Sequence, residues 1–438
     1  MHSITLPNDI TEISDYMFYN CRALELISIP TNVVSIGDYS FYNCEKLDNI
    51  SIPDGVKSIG EYVLYGCKSL RAIRVPFIGS IVDDQNDAYF GYIFGADSWK
   101  DNVAYIPVSL KKVIIAHDNN VIDRAFYGCN SIEVISIYNG VETIGYEAFY
   151  ECSSLTSIEL PSSVTIIGIS AFSFCRNLNN IEMPINLIYI ESGAFSYCTS
   201  LTSIIIPNTV TSVGGSAFIG CTSLEGVYIK DLSAWCNIDF GGNPLYYAHN
   251  LYLNGTLVTE LIIPDDVTSV KDNAFSGCTS IVSVIFHENI TDIGYFAFSE
   301  CSNLVDIVFS EGLDSIGGAA FQDCTNILTI DIPNSVAEIG YQAFYGCSKL
   351  SNVILPNGIT NIAESTFSNC SNLESIAIPD SVKIIGANAF SYCDKLENIV
   401  IPDTVSVIGS DAFSETAYYN DENNWRDNVL YLRKYLIN

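Results

Sequence analysis

Cys198-Thr199-Ser200-Leu201-Thr202-Ser203-Ile204-Ile205-Ile206-Pro207-Asn208-Thr209-Val210-Thr211-Ser212-Val213-Gly214-Gly215-Ser216-Ala217-Phe218 decides the fold, because Cys221 opens the same pattern again 23 residues on. Cys370-x-x-Leu373-x-x-Ile376-x-Ile378-Pro379-x-x-Val382-x-x-Ile385-Gly386-x-x-Ala389-Phe390 is a later copy. Self-similarity at a fixed period of this length is the signature of a solenoid. Each unit is too thin to bury its own apolar set and must stack on its neighbours.

The spacing within a unit assigns its parts. Leu-x-x-Ile-x-Ile ends in period two, as a half-buried strand requires. Proline, which has no N–H to give to a ladder, closes the strand. Val-x-x-Ile crosses the coil and buries two more aliphatic side chains. The glycine that follows is expected to make a tight or left-handed turn. Ala-Phe is expected to form a short helical or 3₁₀ turn with its ring inside the coil. Counted this way there are 17 strand units, from the one around Ile4 to the one around Ile399. At roughly 4.8 Å per strand they predict a parallel sheet on the order of 80 Å long, curved with the strands on the concave side.

Composition agrees with a packed chain: 48% of the 438 residues are hydrophobic and 12% aromatic, well clear of disorder. No run approaches the ~18 apolar residues of a membrane-spanning helix. Met1-His2-Ser3-Ile4-Thr5-Leu6-Pro7 lacks the basic start and apolar stretch of a secretory signal. It runs straight into a repeat already under way, so the expectation is a mature or trimmed portion of a longer protein. The net charge of −31 repels phosphate backbones and anionic bilayers, which excludes nucleic acid as a partner and argues against membrane association. It favours solubility and tolerates basic ligands.

Of 15 cysteines, all but Cys236 share one register, at 21, 44 and 67, then 129 through 221, then 278 through 393. A periodic thiol lies at the same point of successive coils, where cysteine acts as a small buried apolar residue. Parallel Cβ vectors oppose disulfide geometry, so reduced thiols are expected.

The pattern Cys-x-x-Leu-x-x-Ile-x-Ile-Pro…Ile-x-x-x-Ala-Phe resembles the repeat of the BspA-like, or Treponema-type, leucine-rich repeat family over nearly the whole chain. The resemblance implies a single leucine-rich-repeat solenoid across 1–438. It further implies a secreted or cell-surface protein of the kind used by host-associated bacteria and some protists. Such proteins are linked with adhesion to host proteins, extracellular matrix or other microbes.

Three stretches break the period, at 77–107, 231–257 and 415–438, and they hold all three tryptophans, Trp99, Trp235 and Trp425. Insertions in solenoids map to loops on one face. Trp99-Lys100-Asp101-Asn102-Val103-Ala104-Tyr105 parallels Trp425-Arg426-Asp427-Asn428-Val429-Leu430-Tyr431, and Tyr246-Tyr247 parallels Tyr418-Tyr419. Asn254-Gly255 between apolar stretches reads as a type I′ hairpin turn. Two roles are open: ligand-contacting loops anchored by aromatic residues, or enlarged coils whose aromatics fill a wider interior. The recurrence favours the second.

No catalytic constellation is present. His2, His117, His249 and His287 are scattered, without metal-ligand or triad spacing, and His287 takes the proline place at a strand end. Asp83-Asp84-Gln85-Asn86-Asp87 lacks the glycine and terminal glutamate of a calcium loop. No cofactor or metal is expected, and no enzyme. The outward strand positions, four, five and seven residues after each cysteine, are the expected ligand surface. Examples are Glu25, Leu26 and Ser28, Glu133, Val134 and Ser136, Glu225, Gly226 and Tyr228, and Leu328, Thr329 and Asp331. They suggest a mixed acidic and small-polar strip. Arg71, Arg74, Lys111 and Lys112 flank the first insert and form a basic exception. The expectation is a non-catalytic surface scaffold that binds a protein through the concave sheet and the inserts, with Trp99, Trp235, Tyr228, Trp425 and the four basic residues as candidate contacts. The alternatives are a passive spacer in a larger surface protein and a carbohydrate-binding module built on the tryptophans.

Overall fold

The computed structural model describes residues 2–82, 88–116, 121–138, 140–426, 429–432 and 435–437, with Arg426 and the last two segments as backbone only. The chain divides into two compact units, Met1–Glu225 and Gly226–Asn438.

In both units the predicted strand forms and stacks in register, each repeat position against its own copy. Ile4 lies opposite Ile27 in the first unit, and Lys112–Ile115 pairs with both Ala72–Val75 and Val134–Ile137. In the second unit Ser283–Ile285 pairs with Glu260–Ile262 and Asp306–Val308. All these pairings are parallel. A second parallel ladder, invisible to the period-two reading, is built from two-residue strands in the Val-x-x-Ile stretch. Thr143–Ile144, Ile166–Ile167, Tyr189–Ile190 and Ser212–Val213 form one such run.

The third side of the coil departs from expectation. Among the described residues, helices and 3₁₀ segments occur only in the period-breaking stretches. The regular Ala-Phe side is a string of turns. Its N–H groups alternate in target: Tyr16, Phe18 and Asn20 donate to Asp38, Ser40 and Tyr42 of the next coil at 2.7–2.9 Å, while Met17, Tyr19 and Cys21 donate three residues back. A helix would keep all these bonds inside the coil. Turning alternate groups outward places two residues per coil in the left-handed region, as at Tyr16 and Asn20, both φ 59°. The glycine, expected to make a tight or left-handed turn, is not among the positive-φ residues. It is there for closeness, since a Cβ on Gly386 would lie 2.7 Å from the backbone nitrogen of Glu364 in the preceding coil.

The interior is a column of repeated side chains. Phe275, Phe298, Phe321, Phe344, Phe367, Phe390 and Phe413 stack at 5.2–5.6 Å with interplanar angles of 13° or less. Phe126 through Phe218 form the matching column of the first unit at 5.1–5.4 Å. All the cysteines are free, and all but half-buried Cys21 are buried. Most of the regular thiols donate to the phenylalanine carbonyl of the preceding coil, as Cys44 Sγ does to Phe18 at 3.3 Å and Cys347 Sγ to Phe321 at 3.3 Å, whereas Cys278 Sγ lies 3.4 Å from Ser280 Oγ. Burial pushes the Cys44 and Cys221 thiols up to about 12.

Thiols of this kind stay protonated at any ordinary pH, and the thiolate is the reactive form. Iodoacetamide at about pH 8 should therefore modify Cys21 and spare the buried cysteines until denaturant is added; general alkylation of the native protein would contradict the packing. Phe321→Ala should lower unfolding free energy by about 3–5 kcal/mol in urea titrations.

Candidate binding surface

The outward sheet face is assembled from rows, because in-register stacking sets each repeat position beside its copies. In the first unit one row runs through Glu25, Asp48, Arg71, Lys111 and Glu133. Stacking brings the expected basic residues together: the N–H groups of Lys111 and Lys112 both donate to the carbonyl of Arg71. The row also answers their charge. Arg71 pairs with Asp48 at 3.4 Å, Lys111 with Glu133 at 3.1 Å, and Arg74 with Asp54. Arg74 also donates to the Ile52 carbonyl at 3.2 Å. Lys112 has no ion pair among the described residues. The basic exception is thus largely neutralised by its neighbours. Ser136, taken as outward, is buried.

The second unit corrects the sequence reading of a mixed acidic and small-polar strip. The position seven residues after the cysteine holds Ile285, Val308, Ile354 and Val400, joined by Ile262 after the insert. Ile262 is 59% exposed, Val308 and Ile354 52%, and Val400 48%. Ile262 lies opposite Ile285, and Ile285 opposite Val308, so these three β-branched side chains form a continuous apolar run, beyond which Asp331 takes the position. Val282 and Leu328, three residues earlier in their units, are also exposed. Half-buried Tyr228 occupies the same outward position and stacks on Tyr252 at 4.5 Å, while Gly226 beside it is buried. These aliphatics belong to coils whose outward residues look unremarkable one at a time; only register lines them up.

The inserts turn out to seal coils. Regular phenylalanine N–H groups donate to the next coil's alanine carbonyl, as Phe126 does to Ala148. Where an insert precedes a coil, other donors take over. Ala125 receives Phe90 N–H at 2.9 Å and the buried Asn102 side chain at 3.3 Å. Ala274 receives Trp235 Nε1 at 2.9 Å and Asn243 Nδ2 at 2.8 Å. Asn102 and Asn243 were missed in the sequence; a lone asparagine in a loop gives no sign that it will be buried.

Trp235 is therefore an interior residue, 1% exposed, and its candidacy as a contact is corrected: its indole is spent on Ala274 and packs on Phe240 at 4.8 Å. Trp99 is half-buried, with Arg124 over its ring at 4.6 Å. Arg124 also lies over Tyr146 at 4.7 Å and donates to Glu147 at 2.7 Å. Trp425 donates to the Tyr419 carbonyl at 2.6 Å.

The apparent parallels between the inserts hold in part. Leu245–Ala248 and Ala417–Asn420 are both short helices followed by antiparallel hairpins. Asn254 at φ 50° and Gly255 at φ 81° make the predicted left-handed pair. The Trp99 and Trp425 segments differ, however, one being 3₁₀ and helical and the other extended. Adjacent structure overrides their shared sequence. The strand Leu251–Leu253 adds a rung, pairing parallel with Gly226–Ile229.

His287 sits just past its strand with Nε2 2.6 Å from the Pro264 carbonyl, His249 bonds the Gly277 carbonyl, and His2 pairs with Glu25. His117 and the stretch 83–87 lie outside the described residues. Among the described residues no group of three metal-capable side chains occurs, and no helix is long and apolar enough to cross a membrane.

Stacked parallel strands, a 23-residue repeat and inward Leu, Ile and Phe define a leucine-rich-repeat solenoid. The chain matches the BspA type leucine rich repeat region (6 copies) over residues 1–88, 108–238, 248–336 and 320–435, and it belongs to that family. It is similar to the crystal structure of a leucine-rich repeat protein from Bacteroides ovatus ATCC 8483, with 26% identity, TM-score 0.39, and 94% of this chain and 84% of that one covered. A leucine rich cell surface protein from Faecalibacterium prausnitzii A2-165 matches with 25% identity and TM-score 0.37 over 85% and 86% of the two chains. No curated protein matches the chain.

Removing the buried indole should open a large cavity. Trp235→Ala is expected to cost about 3–5 kcal/mol in chemical denaturation, and Trp99→Ala and Trp425→Ala clearly less. Equal losses at all three sites would contradict the placement of Trp235 in the core.

Proposed function

We propose that this protein is a non-catalytic, surface-displayed scaffold that binds a protein ligand of host or microbial origin through the outward sheet face. Leucine-rich repeat proteins of this family are in general interaction or surface scaffolds and generally non-catalytic, and the proposal names the face and the kind of ligand. One observation carries it: the run of aliphatics at exposed Ile262, half-buried Ile285 and exposed Val308 on a sheet whose opposite face is packed. β-branched side chains suit a strand on any face, and a contiguous apolar patch of them on the surface marks an interaction site. Carboxylates at Glu260, Asp306 and Asp331 stand on the same face, a polar rim around an apolar centre as interfaces have. The cell-surface location follows from membership of the family. A carbohydrate reading loses one of its three tryptophan platforms to the core.

The test is capture of the protein by immobilised extracellular-matrix proteins at physiological salt. The triple variant Ile262→Thr, Ile285→Thr, Val308→Thr, which keeps β-branching, should lose at least about tenfold in affinity with an unchanged circular dichroism spectrum. Retention of full binding by the variant, or no capture of the intact protein, would refute the proposal.

A further inference from the structure

We infer that the turn side of the first three coils is a second docking surface, fitted to an arginine-rich segment of another protein. It lies on a different side of the coil from the outward sheet, so its failure and the failure of the preceding proposal are separate results.

Six tyrosines build it. Tyr16, Tyr39 and Tyr62 stack at 5.1 Å with interplanar angles of 0° and 1°. Tyr19, Tyr42 and Tyr65 form a second stack at 4.9 Å. The stacks meet at an angle, Tyr16 against Tyr19 at 5.5 Å and 61°, which leaves a trough between them. All six rings are exposed or half-buried.

The repeat does not ask for the rings of the first stack. Later coils of the same unit put Arg124, Glu147, Ser170, Gly193 and Ser216 where the first stack stands, whereas the second position keeps Tyr127 and Tyr150 before it turns to Ser173, Ser196 and Ile219. The first position is left-handed whatever residue it holds, with φ of 56–59° at Tyr16, Tyr39 and Tyr62 and 58° at Arg124, so the backbone does not select tyrosine there. The same aromatic choice made three times running, at a position the fold leaves open, points to what the surface contacts.

The charge beside the tyrosines selects the partner. Asp15, Asp38 and Glu61 each precede a ring of the first stack, and Asp97 comes close enough to Tyr62 to act on its phenol. Desolvation first, then neighbouring phenols and these carboxylates, pushes the Tyr39 and Tyr62 phenols up, so the hydroxyls stay neutral. One oxygen of Asp15 and one of Asp38 accept a backbone N–H of the next coil at 2.8 Å. None of the four carboxylates is in an ion pair among the described residues, unlike Asp48 and Glu133 on the sheet side. Uncompensated carboxylates along an aromatic trough suit guanidinium groups, which grip carboxylate oxygens in pairs and pack flat on aromatic carbon. A lysine ammonium, compact and strongly hydrated, gains less from the rings.

The experiment is calorimetric titration of the intact protein with an oligo-arginine peptide, with oligo-lysine and an uncharged Gly-Ser peptide as controls, near physiological ionic strength. Tyr16→Ser, Tyr39→Ser and Tyr62→Ser are combined in one variant, since serine stands at that position in Ser170 and Ser216. A second variant combines Asp38→Asn, Glu61→Gln and Asp97→Asn. A third removes the same charge elsewhere with Glu311→Gln, Glu374→Gln and Glu397→Gln. The expected result is oligo-arginine binding that weakens about tenfold or more in the first two variants, changes less than about twofold in the third, and exceeds oligo-lysine binding. Absence of oligo-arginine binding, or equal weakening in all three variants, would overturn the inference, the latter by showing only a diffuse acidic field. So would tyrosine-dependent self-association in sedimentation, which would assign the trough to a second copy of this chain.

Discussion

Alternate N–H groups on the turn side of a coil point out of it, at carbonyls of the next coil, and most of the structure follows from that bond. Satisfying it demands that coils approach at the spacing of paired strands, about 4.8 Å. At that spacing the rings of Phe321 and Phe344 must stack, and Cys347 Sγ comes within reach of the Phe321 carbonyl. The same bond dictates the left-handed residues at Tyr16 and Asn20 and the missing side chain at Gly386. It also creates a liability wherever the repeat is interrupted, because a coil without a regular predecessor has orphan carbonyls, and a buried unpaired polar group costs about 1–3 kcal/mol. Asn102, Asn243 and Trp235 are the answers to that liability.

Inward and outward positions consequently carry different kinds of information. Inward positions are held to a few residue types by packing at native density. Outward positions are free, and in-register stacking turns any preference there into a row. Rows magnify small biases: one exposed isoleucine means little, whereas Ile262, Ile285 and Val308 aligned make a surface. The same multiplication produced the tyrosine trough, the unpaired carboxylates beside it, and the mixed row in which Arg71 and Lys111 are neutralised by Asp48 and Glu133.

The inward positions were legible. Cys198, Leu201, Ile204, Ile206, Val210, Val213, Ala217 and Phe218 are all buried, because one period fixes them all. What stayed hidden has a common cause. The second ladder is only two residues long at Ser212–Val213, below any periodic window. The left-handed turns accept Tyr16, Arg124, Phe174 and Gly193 alike, so the dihedral leaves no residue signature. The apolar row is not visible in any single coil, because it exists only once register sets Ile262, Ile285 and Val308 side by side. Trp235 looked like a contact residue since aromatics in a loop are as apt to anchor a ligand as to fill an interior, and only the position of the Ala274 carbonyl separates the two.

Amide hydrogen exchange measured residue by residue in the native protein tests the coil-to-coil bond most directly. If that bond governs the structure, the amides of Phe298, Phe321 and Phe344, which lie in turns and belong to no strand or helix, exchange as slowly as those of the strands Ser283–Ile285 and Asp306–Val308. Fast, loop-like exchange at the phenylalanines beside protected strands would contradict a governing role for the turn-side bond, because the sheet alone would then hold the coils together.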